Sequence, residues 1–414
     1  MATGVLQRLG PLQDRGFRFL LIGHATSLLG SQMAPVAIVF AVLRTGGGAG
    51  DVGKVLAAQA VALVVCLFVS GVVADRFSRR VVMVLADLLR CVGQLVLAVL
   101  LLTGRPEVWE FMLLLAATGA GQAFFGPAMT GLIPHTTAGS RLHQANALLG
   151  LASSGASIGG PALAGVIVAT SNAGWAVLAD GLSYLVSVLC VTLLPLAPTR
   201  RVGGESFLAQ MRDGWREFRS RTWLWGIVSY FGLWHLLVFA PFMVLGAVIA
   251  ADDLGGAGAW AAILTAQGIG AVVGGLVMLR VRPARPLRVA MCAMLPLLGP
   301  LLLLAVRAPT VVIAATALLS GIGFAVFDTL WDTTLQRVVP ERALSRVSAY
   351  DWVGSVALLP VGYALIGPLT LTIGVTGTLW LSAGCLLAST IAVLAIPGVT
   401  RLRVQPVPEP IEVS

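Results

Sequence analysis

Twelve apolar segments, each long enough to cross a lipid bilayer, run through this chain of 414 residues in two sets of six. A helix needs about 20 consecutive apolar residues to span the hydrocarbon core. With 57% hydrophobic residues, 11% charged residues and a mean hydropathy of +0.93, the chain has more apolar surface than one soluble core could bury. We therefore expect lipid to surround much of its exterior.

Backbone groups that face lipid need hydrogen-bond partners within their own segment, so the spans are predicted to be helices. The first six are predicted at about Phe17–Leu43, Val52–Ala74, Val81–Thr103, Trp109–Ile133, Leu142–Thr170 and Gly174–Leu196. The second six are predicted at about Trp223–Ala250, Ala257–Leu279, Leu287–Val306, Thr310–Thr334, Val347–Gly367 and Gly374–Ile396. The predicted fold is an all-α integral membrane protein with twelve transmembrane helices in two six-helix bundles.

The positive charges of the chain alternate from loop to loop. Of the 27 Lys and Arg residues, 22 fall on the side that holds both termini and four on the other. The positive-inside rule therefore predicts that this side, with both termini, is cytoplasmic. The net charge of +9 reports membrane topology, and we expect the lipid bilayer and a small molecule as partners, with no nucleic acid.

A polar stretch near the middle of the chain divides it into domains. Residues 1–196 and 223–400 are predicted to be the two bundles, with a cytoplasmic tail at 401–414. Within the linker, at 197–222, Phe207, Met211, Trp215 and Phe218 recur at helical spacing, which predicts an amphipathic helix on the inner membrane surface.

The two halves share features at nearly one offset. Gly71 corresponds to Gly275, Pro134 to Pro340, and Gly160-Pro161 to Gly367-Pro368, at offsets of 204, 206 and 207. This agreement predicts a parallel repeat, with pseudo-two-fold symmetry about an axis along the membrane normal.

The turn between predicted spans two and three reads GVVADRFSRR and has the form GxxxDRxxRR. With its twelve spans and long central loop, the chain resembles the major facilitator superfamily. The segments that begin at Pro134 and Leu330 resemble its drug-exporter-type branch, which includes macrolide and siderophore efflux proteins. The resemblance implies alternating access, in which two bundles rock around a central cavity lined mostly by spans one, four, seven and ten.

The resemblance also implies a conformational latch in this turn, closed when the cavity faces outward. Its residues are Gly71, Asp75, Arg76, Arg79 and Arg80. Asp75 can accept hydrogen bonds from a neighbouring helix N-terminus or from Arg79, while Arg76 and Arg80 hold the turn in the headgroup layer. The alternative, a plain positively charged loop, leaves Asp75 unexplained.

Two further patterns support the transporter interpretation. Predicted span five carries GASIGGPALAG, which resembles the antiporter signature of the superfamily and predicts close packing and a bend. Its key residues are Gly155, Gly159, Gly160, Pro161 and Gly165. In span three, Asp87 and Arg90 are three residues apart and can pair on one helix face, as structural support for the latch rather than a proton relay.

Polar and aromatic residues within the cavity-lining spans predict the substrate contacts. The predicted cavity residues are Gln32, Gln122, Phe124, Phe125, Trp234 and His235. The glutamines are expected to supply polar contacts, and the aromatic rings apolar area. His235 can titrate or bind substrate, or it can be a neutral histidine bonded across helices.

Two carboxylates four residues apart in span ten, Asp328 and Asp332, are candidates for proton coupling. Carboxylates on one helix face raise each other's proton affinity. Alternatively, Asp332 is solvated or paired with Arg337 or Arg346. Two other acidic residues near predicted span ends, Asp180 and Asp351, are interpreted as structural.

The sequence therefore predicts a secondary active transporter in the cytoplasmic membrane of a bacterium. It is expected to export a small amphipathic compound by proton antiport and to act as a monomer. An importer with the same fold is the alternative. The sequence has no phosphate-binding glycine loop, no HExxH and no GxSxG on a suitable turn, so we expect neither an enzyme nor a bound metal or cofactor.

Overall fold

A computed structural model of the chain describes residues 10–138, 141–194 and 215–402, with the backbone alone described at 71, 72, 74, 75, 341–343, 345 and 346. Eleven of its helical segments are long and apolar enough to cross a membrane. The last of them, Val347–Leu394, has 48 residues and is interrupted at Gly374, whose φ is 73° and ψ 171°. This segment therefore holds two spans, and the predicted fold with twelve transmembrane helices is confirmed.

The spans are numbered in chain order. The first bundle consists of α1 (Arg15–Arg44), α2 (Ala49–Arg76), α3 (Arg79–Thr103), α4 (Val108–Leu132), α5 (Leu142–Thr170) and α6 (Ala173–Thr192). The second consists of α7 (Thr222–Asp253), α8 (Ala257–Met278), α9 (Pro286–Ala305), α10 (Thr310–Val338), α11 (341–373, with a break at 357–358) and α12 (375–394). Short helical turns lie at Gly10–Gln13, Ile133–His135 and Pro397–Thr400.

Prolines explain the irregular turns within two of these helices. α7 contains a turn of π-helix at His235–Phe239, which ends two residues before Pro241. α9 contains a 3₁₀ turn at Leu295–Leu297, which includes Pro296. Proline has no backbone N–H and its ring crowds the preceding turn, so the regular α-helical bonding pattern cannot continue through these positions.

The helix ends define two faces of the molecule. α1 begins and α6 ends at one face, which we call the Arg-rich face. α1 ends and α2 begins at the opposite face, which we call the Arg-poor face. At the Arg-poor face, a single buried apolar cluster runs through both bundles and includes Val36, Val52 and Trp260. The Arg-rich end of the first bundle has a separate cluster, which includes Phe17, Met83 and Met129.

The bundles meet through α2 with α11 and α5 with α8. A Cβ at Gly53 would overlap the carbonyl oxygen of Tyr363, and a Cβ at Gly50 would lie 3.3 Å from the Cα of Gly367. On the other side, the absence of a side chain at Gly165 lets α5 rest on Ala261. Since these contacts cluster near the Arg-poor face, the molecule is closed on that side.

At the Arg-rich face, the ion pairs of Asp14 and Arg221 lie within one half of the chain each. In the first bundle, Arg141 lies 3.3 Å from Asp14. In the second, Arg221 lies 2.5 Å from Glu217 and donates to the carbonyl oxygen of Val338 at 2.6 Å. These bonds at the Arg-rich face therefore stabilise each bundle by itself.

Part of the predicted linker helix is described. Residues 215–219 are helical, and the buried ring of Phe218 packs against Trp215 and Tyr350. The linker therefore joins the second bundle at this point. The predicted positions Phe207 and Met211 lie outside the described residues.

Candidate functional site

A cavity of about 410 Å³ lies between the bundles, near the middle of the helices that line it. α1 and α5 of the first bundle line it, together with α7, α8, α9 and α10 of the second. Its lining residues are Gln32, Pro35, Ser157, Pro161, Trp234, Phe239, Phe242, Met243, Leu264, Gln267, Gly268, Ala271, Met294, Leu297, Ser320, Gly321 and Phe324.

The cavity has an apolar wall with a few polar groups. Gln32, Ser157, Gln267 and Ser320 supply amide and hydroxyl groups, and the Gln267 amide donates to the Ser320 hydroxyl at 3.4 Å. The described lining carries no charged side chain. Such a site suits a ligand with a large apolar body and a few hydrogen-bonding groups.

Aromatic side chains form one side of this wall. The ring centroid of Trp234 lies 5.2 Å from that of Phe239 and 6.1 Å from that of Phe324. The π-helical turn follows Trp234 directly and holds Phe239 on the cavity. The indole Nε1 of Trp234 is buried and has no hydrogen-bond partner among the described residues.

The glycine and proline residues of α5 bring the helix against its neighbours. Gly160 lies directly on Gln32 of α1, and Pro161 lines the cavity. Because Pro161 has no N–H, the carbonyl of Ser157 loses its bond within the helix. This carbonyl lies against α8, 2.6 Å from where a Cβ of Gly268 would be.

The other small residues of this motif differ in their surroundings. Gly159 contacts Leu29 of α1, at 3.3 Å from an ideal Cβ, whereas a Cβ at Gly155 would meet open space. The motif therefore packs along its second half, toward the Arg-poor face.

Of the residues predicted from sequence, Gln32 and Trp234 line the cavity and four others do not. Gln122 is exposed on α4, and Phe124 is half-buried. Phe125 is buried within the first bundle. His235 bonds to the carbonyl of Phe231 in its own helix at 2.9 Å, and across helices to the backbone of Ser355 on α11.

The sequence interpretation placed α4 rather than α5, α8 and α9 around the cavity. It therefore missed Gln267 of α8, although a polar residue within an apolar span was the signal that could have found it. It also missed Ser320, although α10 was among the helices predicted to line the cavity. The helices around the cavity could not be ranked from sequence because their faces depend on packing.

The two α10 carboxylates lie toward the Arg-rich face. Asp328 is one turn beyond the cavity residue Phe324, and Asp332 one turn further. Both are exposed, and within the described residues neither has an ion pair within 4.0 Å. Asp351 of α11 accepts a hydrogen bond from the indole of Trp331 at 3.0 Å.

A charged cluster is buried within the first bundle. Arg90 forms an ion pair with Asp87 on α3, and the two residues are 6% and 0% exposed. The guanidinium carbon of Arg90 lies 4.5 Å from the ring centroid of Phe125 and 4.4 Å from that of Tyr184. Both aromatic faces attract the cation.

The same cluster contains Asp180, which the sequence interpretation placed near a span end. Asp180 is 0% exposed and accepts a hydrogen bond from Gln94 at 2.9 Å. Gly30 of α1 lies against Asp180 and Ser183, where no larger residue would fit. Its burial was not visible in the sequence, because it depends on α1 and α3 covering one face of α6.

The predicted latch is described in part. Arg79 donates to the carbonyl oxygen of Gly131 and lies 3.3 Å from the ring of His135, so α3 is tied to the end of α4. Arg80 is half-buried and Arg76 is exposed. The side chain of Asp75 and the surroundings of Gly71 are outside the part of the chain that the structure describes.

Two six-helix bundles that close on one face and enclose a cavity at mid-depth define a class of membrane transporters. Residues 20–351 match the family model of the Major Facilitator Superfamily, and the chain belongs to this family. The resemblance noted in the sequence is thereby confirmed. The chain is a multi-pass membrane transporter for a small molecule, and it is not an enzyme.

Relatives of known role match almost the whole chain. The enterobactin exporter EntS of Citrobacter koseri is 25% identical over 403 residues, which cover 95% of this chain and 94% of the exporter. The multidrug efflux pump Tap of Mycobacterium bovis is 25% identical over 419 residues, which cover 95% of this chain and 96% of the pump.

Solved structures share the fold. A peptide transporter of the POT family has a TM-score of 0.77 at 11% identity and covers 94% of this chain and 96% of its own. The nucleoside transporter NupG has a TM-score of 0.69 at 15% identity and covers 93% of this chain and 99% of its own. At these identities the likeness concerns the fold alone.

Proposed function

We propose that this transporter exports a small amphipathic compound from the cytoplasm by proton antiport. The observation that carries the proposal is the uncharged, aromatic-lined cavity between bundles that are closed at the Arg-poor face. The full-length similarity to an enterobactin exporter and a multidrug efflux pump supports export. A proton moved across about 100 mV supplies roughly 2.3 kcal/mol, enough for a concentration ratio of about fiftyfold.

The proposed orientation follows from the arginine distribution. The positive-inside rule places the Arg-rich face and both termini in the cytoplasm. The described conformation then loads substrate from the cytoplasm, and opening of the Arg-poor face releases it outside. Asp328 and Asp332 lie on the loading side and are candidates for the proton exchange, with the protein acting as a monomer.

Transport direction separates this proposal from its alternative, an importer with the same fold. We expect an efflux-deficient bacterial host that expresses the protein to expel ethidium, rhodamine 6G or a macrolide, and a protonophore to abolish this effect. Inverted membrane vesicles should take up the same compound when energised. Uptake by right-side-out vesicles instead would identify an importer and contradict the proposal.

Substitution of the cavity tryptophan tests whether this cavity binds the substrate. Trp234→Ala removes a large aromatic contact from the cavity wall, so we expect the rate of export at low substrate concentration to fall about tenfold or more. The matched control is Trp380→Ala, which removes a tryptophan that is 52% exposed on α12. Equal effects of the two substitutions on export would argue against the cavity as the binding site.

Asp75→Asn tests the proposed latch. We expect the variant to fold and reach the membrane, but to lose export, because the amide cannot provide the charge that anchors a neighbouring helix end or Arg79. The measurement is dye efflux normalised to the amount of protein in the membrane. Normal export in vesicles would contradict a latch at this turn.

A further inference from the structure

Two buried carboxyl groups in the first bundle share one guanidinium group. Asp87 and Asp180 are both 0% exposed. Arg90 donates to Asp87, whereas the donors to Asp180 are neutral: the amide of Gln94, 2.9 Å from Oδ2, and the hydroxyl of Tyr184. Among the described residues Asp180 has no ion pair within 4.0 Å, so it is the carboxyl group without a cation of its own.

Several buried side-chain atoms in the cluster around Asp180 lack a hydrogen-bond partner among the described residues. Gln94 is 1% exposed, and its Oε1 has no hydrogen-bond partner in the described part of the chain. The same is true of Oδ1 of Asp180. Oδ2 of Asp87 and Nε of Arg90 are also buried without a partner. Buried polar atoms are almost always paired, so the hydrogen bonds of this cluster are incompletely satisfied, and a proton on Asp180 adds an O–H donor to it.

Charge leads to the same conclusion. A carboxylate that is buried without a paired cation has lost its hydration and gained no ion pair in return. When a proton forms an O–H bond with Asp180, the net charge of Asp87, Arg90 and Asp180 changes from −1 to zero. The cluster therefore has one reversible place for a proton.

Of the titratable groups in and around this cluster, Asp180 is the one whose protonation state can change. Tyr184 lies one turn further along α6, and α5 presents no titratable side chain beyond His143 at its start. The titratable groups on the remaining neighbouring helices are His24 of α1 and Asp87, Arg90 and Cys91 of α3. His24 stacks on Phe125, and Arg90 is fixed by Asp87 and two aromatic rings.

Three consecutive residues of α1 connect this cluster to the cavity. Gly30 lies against Asp180, and the hydroxyl of Ser31 hydrogen-bonds to that of Tyr184 at 2.9 Å. Gln32 then lines the cavity and rests on Gly160 of α5. A change of charge at Asp180 therefore acts on the helix that also contacts the substrate.

We propose that Asp180 is the proton-binding group that couples proton movement to transport, a proposal that rests on proton-coupled export. The carboxylate takes up a proton from one side and releases it to the other as α1 shifts between conformations. Asp328 and Asp332 are exposed side chains, whereas Asp180 is shielded on all sides and is therefore better suited to hold a proton through the cycle.

Infrared spectroscopy tests the proton site without any substrate. In the purified full chain in liposomes, titration from about pH 9 to about pH 5 should produce the carbonyl-stretch band of a buried protonated carboxylic acid. The band should be absent in Asp180→Asn and present in Asp328→Asn. Asp180→Glu keeps a titratable carboxyl group and should therefore retain the band at a shifted frequency. This variant shows that loss of the band in Asp180→Asn reflects loss of the carboxyl group and not a folding defect.

Transport by the same variants supplies the second readout. With rhodamine 6G, Asp180→Asn should lose accumulation driven by a pH gradient by about tenfold or more, yet retain exchange of dye for dye. A band that persists in Asp180→Asn, a wild type without a titrating band, or gradient-driven transport by Asp180→Asn would overturn the proposal. If the wild type moves no dye, export is refuted while the infrared result still decides the proton site.

Discussion

Replacing Gly53 with leucine is expected to shift the transporter away from the conformation that is closed at the Arg-poor face. Even a Cβ at this position overlaps the carbonyl oxygen of Tyr363, which is backbone and cannot rotate away. Overpacking of a close contact costs about 1–3 kcal/mol. That energy corresponds to roughly a 5- to 150-fold change in the ratio of the two conformations.

Cysteine labelling measures this shift. In a background without the native cysteines, Ser157→Cys places a thiol on the cavity. A membrane-impermeant reagent should reach it from the Arg-rich face in the parent protein and from the Arg-poor face after Gly53→Leu. The control is Gly384→Leu on α12, where an added Cβ meets nothing within 4 Å. Unchanged labelling in Gly53→Leu would show that α2 and α11 do not form the closing contact.

Loss of Arg90 is expected to be the most destabilising single change in the first bundle. Arg90→Ala leaves Asp87 buried without its cation and empties the space between the rings of Phe125 and Tyr184. Removing one partner of a buried ion pair costs about 3–5 kcal/mol. We expect a sharp fall in the yield of folded protein and a markedly lower unfolding temperature in detergent.

An exposed ion pair provides the matched control for this experiment. Lys54 and Asp51 lie three residues apart on α2, with a distance of 2.9 Å, but the Lys54 side chain is 62% exposed. Lys54→Ala should therefore change stability by only about 0.2–1 kcal/mol. Adding Asp87→Asn to Arg90→Ala should restore part of the loss, because it removes the unpaired charge. Similar unfolding temperatures for Arg90→Ala and Lys54→Ala would mean that Arg90 does not stabilise the bundle.

The buried charged cluster was predictable from residue spacing only where both partners lie on the same helix. Asp87 and Arg90 are neighbours on one turn of α3, so their pairing needed only local geometry. Asp180 is 90 residues further along the chain than Arg90, and its place beside Gln94 arises from the packing of α6 on α3. The role of Arg90 as support for the latch stays a prediction, because the side chain of Asp75 is not described.

The residues that line the cavity were likewise predictable only in part from the sequence. Gln32 and Trp234 stood out as polar and aromatic residues near the middle of apolar spans, and both line it. Gln122 matched Gln32 in depth, yet it is exposed on α4. Depth along a helix follows from the sequence, whereas the direction in which a residue faces depends on the rotation of that helix within the bundle.

The amino-acid sequence by itself determined the membrane environment, the twelve spans, their helical structure and the family. These depend on hydrophobic length, on backbone hydrogen bonds within each segment and on a local motif. The tertiary structure alone decided which face is closed, which helices surround the cavity and which carboxyl group is buried without a cation. These depend on contacts between helices far apart in the chain, where a glycine such as Gly53 or Gly30 permits an approach that no local pattern records.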